Sequence, residues 1–161
     1  MNRLKIYLDT SVISHLDAPD TPEKMRDTLR LWDMLESGWY DVVLSETVLD
    51  ELEACSEPKK SIIKANLNNI KYEIAATNDA LRSLAGKFID FGILKEKSFD
   101  DCRHIAAALL SGCDIVVSWN FKHFVNAKTI RGTRSIAATG GFRDIMICTP
   151  TMLVEGESDY D

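Results

Sequence analysis

Residues 113–120 read Cys113-Asp114-Ile115-Val116-Val117-Ser118-Trp119-Asn120. The apolar run Ile115-Val116-Val117 is the clearest buried strand in the chain, because it lacks the polar alternation of a strand with one face in water. A strand covered on both faces belongs to a sheet sandwiched between helices. Upstream, residues 98–111 carry a helical pattern that ends at Gly112. Downstream, residues 121–125 read as a short helix and residues 131–143 as a Gly- and basic-rich loop. Ile145-Met146-Ile147-Cys148 reads as a last strand, halted by Pro150.

The same alternation runs back to the start. Leu4, Ile6 and Leu8 alternate with Lys5 and Tyr7, giving a first strand that ends at Asp9-Thr10-Ser11. Those polar side chains suit the cap of a short helix over residues 12–16. Thr21-Pro22-Glu23 opens the next helix, with Met25, Leu29, Trp32 and Leu35 as its apolar face and Ser37-Gly38 as its stop. Residues 40–44 form a second strand and Ser45 caps the helix after it. Pro58 begins a more polar helix, residues 72–75 form a short third strand, and Asn78 caps a helix carrying Leu81, Leu84, Phe88 and Phe91. No internal repeat or linker divides the chain. Strands alternating with helices predict a three-layer α/β domain with a mostly parallel central sheet flanked by helices. In such sheets the ligand crevice lies beyond the carboxyl ends of the strands.

The length, 161 residues, fits one domain with a sizeable core. No apolar run approaches the roughly 20 residues that span a bilayer. The first residues carry no long apolar stretch of a secretion signal, so a cytoplasmic protein is expected. Lys plus Arg number 19 against 25 Asp plus Glu, a net charge of −6. That balance excludes a protein that grips nucleic acid by bulk charge alone, but not a nuclease whose metal ions neutralise an acidic pocket. Cys55, Cys102, Cys113 and Cys148 are scattered and form no C-x-x-C pair, so reduced thiols in a reducing compartment are expected rather than disulfides or zinc. Neither G-x-G-x-x-G nor G-x-x-x-x-G-K-[ST] occurs, which removes the common phosphate-cradling loops.

A few acidic residues occupy places unusual for surface charge. Asp9 follows the first strand, where it is a turn or cap residue or a ligand. At about 100° per residue, Val48, Leu52 and Cys55 line one stripe of the helix after Ser45. Glu46, Asp50, Glu53 and Glu57 fall on its far side, and Glu51 alone borders the stripe. On the helix through Ser111, Cys102, Ile105, Ala106, Leu109 and Cys113 form the apolar face; Asp100 lies opposite and Asp101 at its border. Asp101 there is either a partner of Ser98 at the helix start or a site residue. Asn120 follows its strand as Asp9 follows the first. Carboxylates converging on one sheet edge raise one another's proton affinity unless a cation holds them. Oxygen-only ligands point to Mg²⁺ or Mn²⁺, ions that serve phosphodiester chemistry.

At these residues the sequence resembles the PIN domain family, in particular VapC-like ribonuclease toxins of type II toxin–antitoxin pairs. Ile6-Tyr7-Leu8-Asp9-Thr10-Ser11-Val12-Ile13 is similar to the family's first motif and Ser45-Glu46-Thr47-Val48-Leu49-Asp50-Glu51-Leu52 to its second. Asp101-Cys102-Arg103-His104-Ile105-Ala106 is similar to the D-x-x-H-I-A pattern. Residues 113–120 resemble the fourth motif, with Asn120 where Asp is commoner. The resemblance covers residues 4–154, so residues 1–154 are read as a PIN-like domain and residues 155–161 as an acidic tail.

The resemblance implies Mg²⁺- or Mn²⁺-dependent RNA cleavage by a homodimer, restrained by a small antitoxin. It implies metal ligands at Asp9, Glu51 and Asp101, an outer ligand at Asn120, and supporting or phosphate-binding hydroxyls at Thr10, Ser11 and Ser118. Lys122, His123, Lys128, Arg131, Arg134 and Arg143 are candidates for guiding the RNA backbone. By its angle on the helix, His104 points away from Asp101, toward the surface, a dimer contact or a partner. The rival reading is a non-catalytic PIN-like module that binds RNA or protein. A haloacid-dehalogenase-like phosphatase would need a second Asp where Ser11 stands.

Overall fold

The computed structural model describes residues 3–158. In chain order it contains β1 (Lys5–Leu8), α1 (Thr10–Ser14), α2 (Pro22–Glu36), β2 (Asp41–Ser45), α3 (Glu46–Glu53), α4 (Lys59–Leu67) and β3 (Glu73–Ala75). There follow α5 (Asp79–Asp90), α6 (Phe99–Leu110), β4 (Ile115–Val117), α7 (Ala127–Gly140), β5 (Met146–Cys148) and α8 (Pro150–Ser158). The strands form one five-stranded sheet in the order β3-β2-β1-β4-β5. Every pairing is parallel, with Ile6 opposite Val42 on one side and Ile115 on the other. The expected mostly parallel sheet is therefore wholly parallel.

Parallel strands need crossover helices, and those helices cover both sheet faces. Ile6, Tyr7 and Leu8 are completely buried, as are Val116 and Val117. The edges are open: Ile74 on β3 and Met146 on β5 are about half exposed. The chain moves from β1 through β2 to β3 in one direction, then crosses back to β4 and β5. Strand order thus reverses between β1 and β4, the place where open α/β sheets leave a crevice. Asp9 and Ser118 follow those two strands.

Local signals account for most element starts. Asp9, Ser45 and Asn78 each accept a hydrogen bond from a backbone N–H in the first turn of α1, α3 and α5. The inner face of α2 is Leu31, Trp32, Met34 and Leu35 with Asp27 and Thr28, while Leu29 is turned outward. Asp27 is tolerated because Thr151 donates to it at 2.6 Å and Arg26 and Arg30 lie alongside. Phe91 lies beyond the end of α5 and is exposed.

Three expectations are corrected. Residues 121–125 form a turn, not a helix. Most of the supposed loop over residues 131–143 is α7, capped by Asn126 and closed by Gly141 at φ 73°. Gly132 is a close-approach residue, not a breaker: a Cβ there would come within 2.6 Å of Ile93 Cγ1. Pro150 does not merely stop β5; it starts α8, as proline at a first helical turn can. α8 takes in the beginning of the expected acidic tail, whose residues 159–161 lie outside the described residues, as do residues 1–2.

The cysteines are free; Cys102, Cys113 and Cys148 are buried and Cys55 is half-buried. Burial pushes the Cys102 and Cys113 thiols up to about 12. Among the described residues no helix is long and apolar enough to cross a membrane.

Candidate active site

Asp9 sits where β1 ends and is almost wholly buried, at 3% exposure. Its Oδ1 accepts from Val12 N at 3.1 Å and from Ser11 Oγ at 2.6 Å, and its Oδ2 accepts from Ser118 Oγ at 2.6 Å. The two hydroxyls also accept hydrogens: Ser11 from Trp119 N and Ser118 from Asn120 N, each at 2.9 Å. One carboxylate thereby laces the end of β1 to the end of β4. Burial pushes the Asp9 carboxyl up from its ordinary range; nearby His104 and the three donors offset only part of that.

Glu51 projects from α3 and is half-buried. Its Oε1 accepts from His104 Nε2 at 3.1 Å. His104 Nδ1 lies 2.7 Å from Tyr7 Oη, which lies 2.7 Å from Ser45 Oγ, and Ser45 accepts from Val48 N at 3.2 Å. A carboxylate only accepts, so Nε2 carries a hydrogen. With Nδ1 as acceptor, Tyr7 donates to His104 and Ser45 donates to Tyr7, and every hydroxyl hydrogen is used. Burial holds the Tyr7 hydroxyl protonated, far above its usual range. Burial also works against ionisation of Glu51, but His104, Thr10 and Arg103 outweigh it and keep the carboxyl below its usual range.

Asp101 lies in the first turn of α6. Ser98 makes no capping bond to this helix. Instead Asp101 Oδ2 accepts from His123 Nδ1 at 2.6 Å. The backbone N of His123 donates to Asn120 Oδ1 at 2.9 Å, so the Asn120 side chain organises its own turn. A continuous path therefore joins Asp101, His123, Asn120, Ser118 and Asp9.

The expectation for His104 is also corrected: it is 3% exposed, not a surface group. The angular test assumed one covered stripe, whereas α6 buries Cys102, His104, Ile105, Ala106, Ala107, Ala108 and Leu109. Sequence reasoning missed Tyr7 and Ser45 as parts of the site, set His104 outside it, and read His123 as a guide for RNA rather than a partner of Asp101. A tyrosine in a fully buried strand was the available signal, since its hydroxyl must find a partner.

The structure gathers Asp9, Glu51, Asp101 and Asn120 at the carboxyl end of the sheet, with each carboxylate held by protein donors. Among the described residues no group of three or more His, Cys, Asp or Glu side chains is close enough to hold a metal ion. The donor chemistry nevertheless suits a hard cation. Asp9 is a buried carboxylate whose ionised form burial disfavours. Thr10 Oγ1 is buried beside the Glu51 carboxylate and favours its ionised form.

The basic candidates divide. Lys122 lies in the turn after Asn120, and Lys128, Arg131 and Arg134 lie on α7, all four exposed. Arg134 donates twice to Asp144, both at 3.0 Å, and Arg143 pairs with Asp114 at 3.0 Å. Arg131 and Arg134 line an open groove of about 500 Å³ with Phe142 and Asp144.

Two solved structures share the fold. VapC20 of Mycobacterium tuberculosis, a sarcin-ricin loop cleaving toxin, is 18% identical, with a TM-score of 0.57 over 88% of this chain and 98% of that one. VapBC2 of Rickettsia felis, bound to a DNA fragment from its promoter, is 12% identical, with a TM-score of 0.55 over 91% of this chain and 98% of that one. Comparison with curated proteins gives no match. The sequence model of the PIN domain matches residues 5–122, a span that runs from β1 to just past Asn120 and takes in every carboxylate of the site. With that match over most of its length, the chain belongs to the PIN domain family.

Proposed function

We propose that this protein is a Mg²⁺- or Mn²⁺-dependent endoribonuclease, the cytoplasmic toxin of a type II toxin–antitoxin pair. The observation that carries the reading is the buried Asp9 carboxylate at the β1/β4 switch point, joined through Ser118, Asn120 and His123 to Asp101. Asp9, Glu51 and Asp101 are the residues that would hold the ion, whose charge supplies water activation and offsets the negative phosphodiester. Ser11 and Ser118 fix the Asp9 rotamer. Tyr7 and His104 orient Glu51. Asn120 and His123 place Asp101. Thr10 adds a hydroxyl beside Glu51 that would face a phosphate oxygen or the ion. A small antitoxin partner, supported by the likeness to VapBC2, and a homodimer, implied by the family resemblance, are part of the proposal.

Purified protein incubated with defined RNAs should cut them with Mg²⁺ or Mn²⁺ and not with a chelator, and Asp9→Asn or Asp101→Ala should abolish cutting. Equal cleavage by wild type and Asp9→Asn would refute the assignment. A second reading is a non-catalytic PIN-like module that binds RNA or protein. It is favoured by the engagement of all three carboxylates with protein donors and by an amide at Asn120. Calorimetric titration with Mn²⁺ separates the two: the nuclease binds the ion and the module does not.

A further inference from the structure

Beside the carboxylates stands a second constellation with no part in holding them. The Lys24 ammonium on α2 lies 5.4 Å from the Phe121 ring centroid and 5.7 Å from that of Trp119. Several surface cations are paired with a carboxylate; among the described residues Lys24 is one of those that make no ion pair. It is held instead against two aromatic rings.

The placement is built. Trp119 Nε1 donates to Thr28 Oγ1 at 2.9 Å, and the Thr28 hydroxyl donates to the Lys24 carbonyl at 2.7 Å. The Trp119 backbone N donates to Ser11 Oγ, the same hydroxyl that holds Asp9. Trp119 itself is buried, but Phe121 is 52% exposed. Phe121 opens a turn pinned by Asn120, whose carbonyl accepts from Phe124 N and Val125 N at 2.9 and 3.0 Å. An exposed aromatic ring on a pinned turn, with an unpaired cation against it and Asn120 of the site next to it in the chain, matches one nucleotide: a π-face for the base and a cation for the phosphate.

We propose that Phe121 and Lys24 form a nucleotide subsite for single-stranded RNA flanking the active site, with a base stacked on Phe121 and a phosphate on Lys24. This rests on the ribonuclease reading above and deepens it. A base offers a flat ring whatever its identity, so the subsite positions the strand without selecting its sequence. The charge arrangement favours a nucleic acid over an apolar peptide, which would leave the Lys24 charge facing an uncharged partner.

The test uses the full chain carrying Asp9→Asn, in Mg²⁺ buffer, titrated with a labelled single-stranded RNA of about 12 nucleotides over a range of salt concentrations. Adding Phe121→Ala should weaken binding about 5- to 100-fold, and Phe121→Trp should restore it. An oligonucleotide of equal length lacking bases should bind all three alike. Lys24→Ala should lower the slope of log affinity against log salt by about 0.7, and Lys24→Arg should keep it. Unchanged affinity in Phe121→Ala, or equal weakening with and without bases, overturns the subsite. Loss of a co-expressed antitoxin from Phe121→Ala with RNA binding intact also overturns it and assigns the face to a protein partner. If the Asp9→Asn parent binds no RNA and the wild-type chain in Mg²⁺ or Mn²⁺ buffer neither binds nor cuts it, the ribonuclease reading itself fails, before any change at Phe121 or Lys24 is made.

Discussion

The Tyr7 hydroxyl lies 2.7 Å from His104 Nδ1, joining the central strand to the helix that carries Asp101 and, through His104 Nε2, to Glu51. A buried polar chain of this kind is favourable only while every member is satisfied. It spans four elements: β1 supplies Tyr7, Ser45 closes β2 and caps α3, which carries Glu51, and α6 supplies His104. One side chain in the core therefore sets the orientation of an acidic group at the sheet edge.

Tyr7→Phe keeps the ring and deletes the hydroxyl, leaving His104 and Ser45 each short of a partner. The expected loss is about 1–2 kcal/mol, or a melting temperature lower by roughly 2–8 °C for a chain of this size. If Glu51 is oriented through this chain, turnover should fall more than the melting shift accounts for at a temperature where the variant is fully folded. Thermal melts beside RNA cleavage rates measure both.

Asp9 has the opposite pH signature from an ordinary paired carboxylate. Its folded-state proton affinity is raised by burial, so the folded chain holds a proton that the unfolded chain has released. Stability from this group is present below the unfolded value near pH 4 and is lost as pH rises through the raised folded value. In chelator, the wild type minus Asp9→Asn stability difference should become more unfavourable to wild type over that rise. Asparagine keeps the helix cap, so the variant should stay folded. Denaturant melts at a series of pH values give the difference, and a flat one contradicts the assignment.

Gly132→Ala should destabilise, although alanine is the better helix former by about 1 kcal/mol. The new Cβ would stand 2.6 Å from Ile93 Cγ1, close to the branch point of a stiff side chain. Overpacking of this kind costs about 1–3 kcal/mol. Ile93→Ala in the Gly132→Ala background should recover part of the loss, which a double-mutant cycle in urea would show.

On α7, Arg131 and Arg134 should contribute unequally to RNA binding. Arg134 is engaged by two hydrogen bonds to Asp144, so its replacement frees a carboxylate as it removes a cation. Arg131→Ala should lower the salt slope of RNA affinity by about 0.7, the value for one single-strand phosphate contact. Arg134→Ala should weaken affinity further through the repulsion of unpaired Asp144. Identical slopes for Arg131→Ala and wild type remove α7 from the RNA path.

The framework of the candidate site is legible in the sequence. Turn and cap chemistry is local, so Asp9, Ser45 and Asn78 announced their helices. The buried run at residues 115–117 and the alternation at residues 4–8 announced strands. Angular placement separated Glu51 and Asp101 from their acidic neighbours, because the question there was which side of one helix each residue occupies.

What the chain alone determined was the alternation of strands and helices, the caps, and the small set of acidic residues at element ends. Only the folded molecule decided which groups those carboxylates meet. His104 is buried because two neighbouring layers cover α6, a fact with no local signature. His123 reaches Asp101, and Lys24 reaches Phe121, across loops and helices far apart in sequence. Gly132 reads as a breaker until Ile93 is seen against it. Periodicity reports the environment of one face of one element; hydrogen-bond partners and close packing depend on the second element, which only tertiary structure brings near.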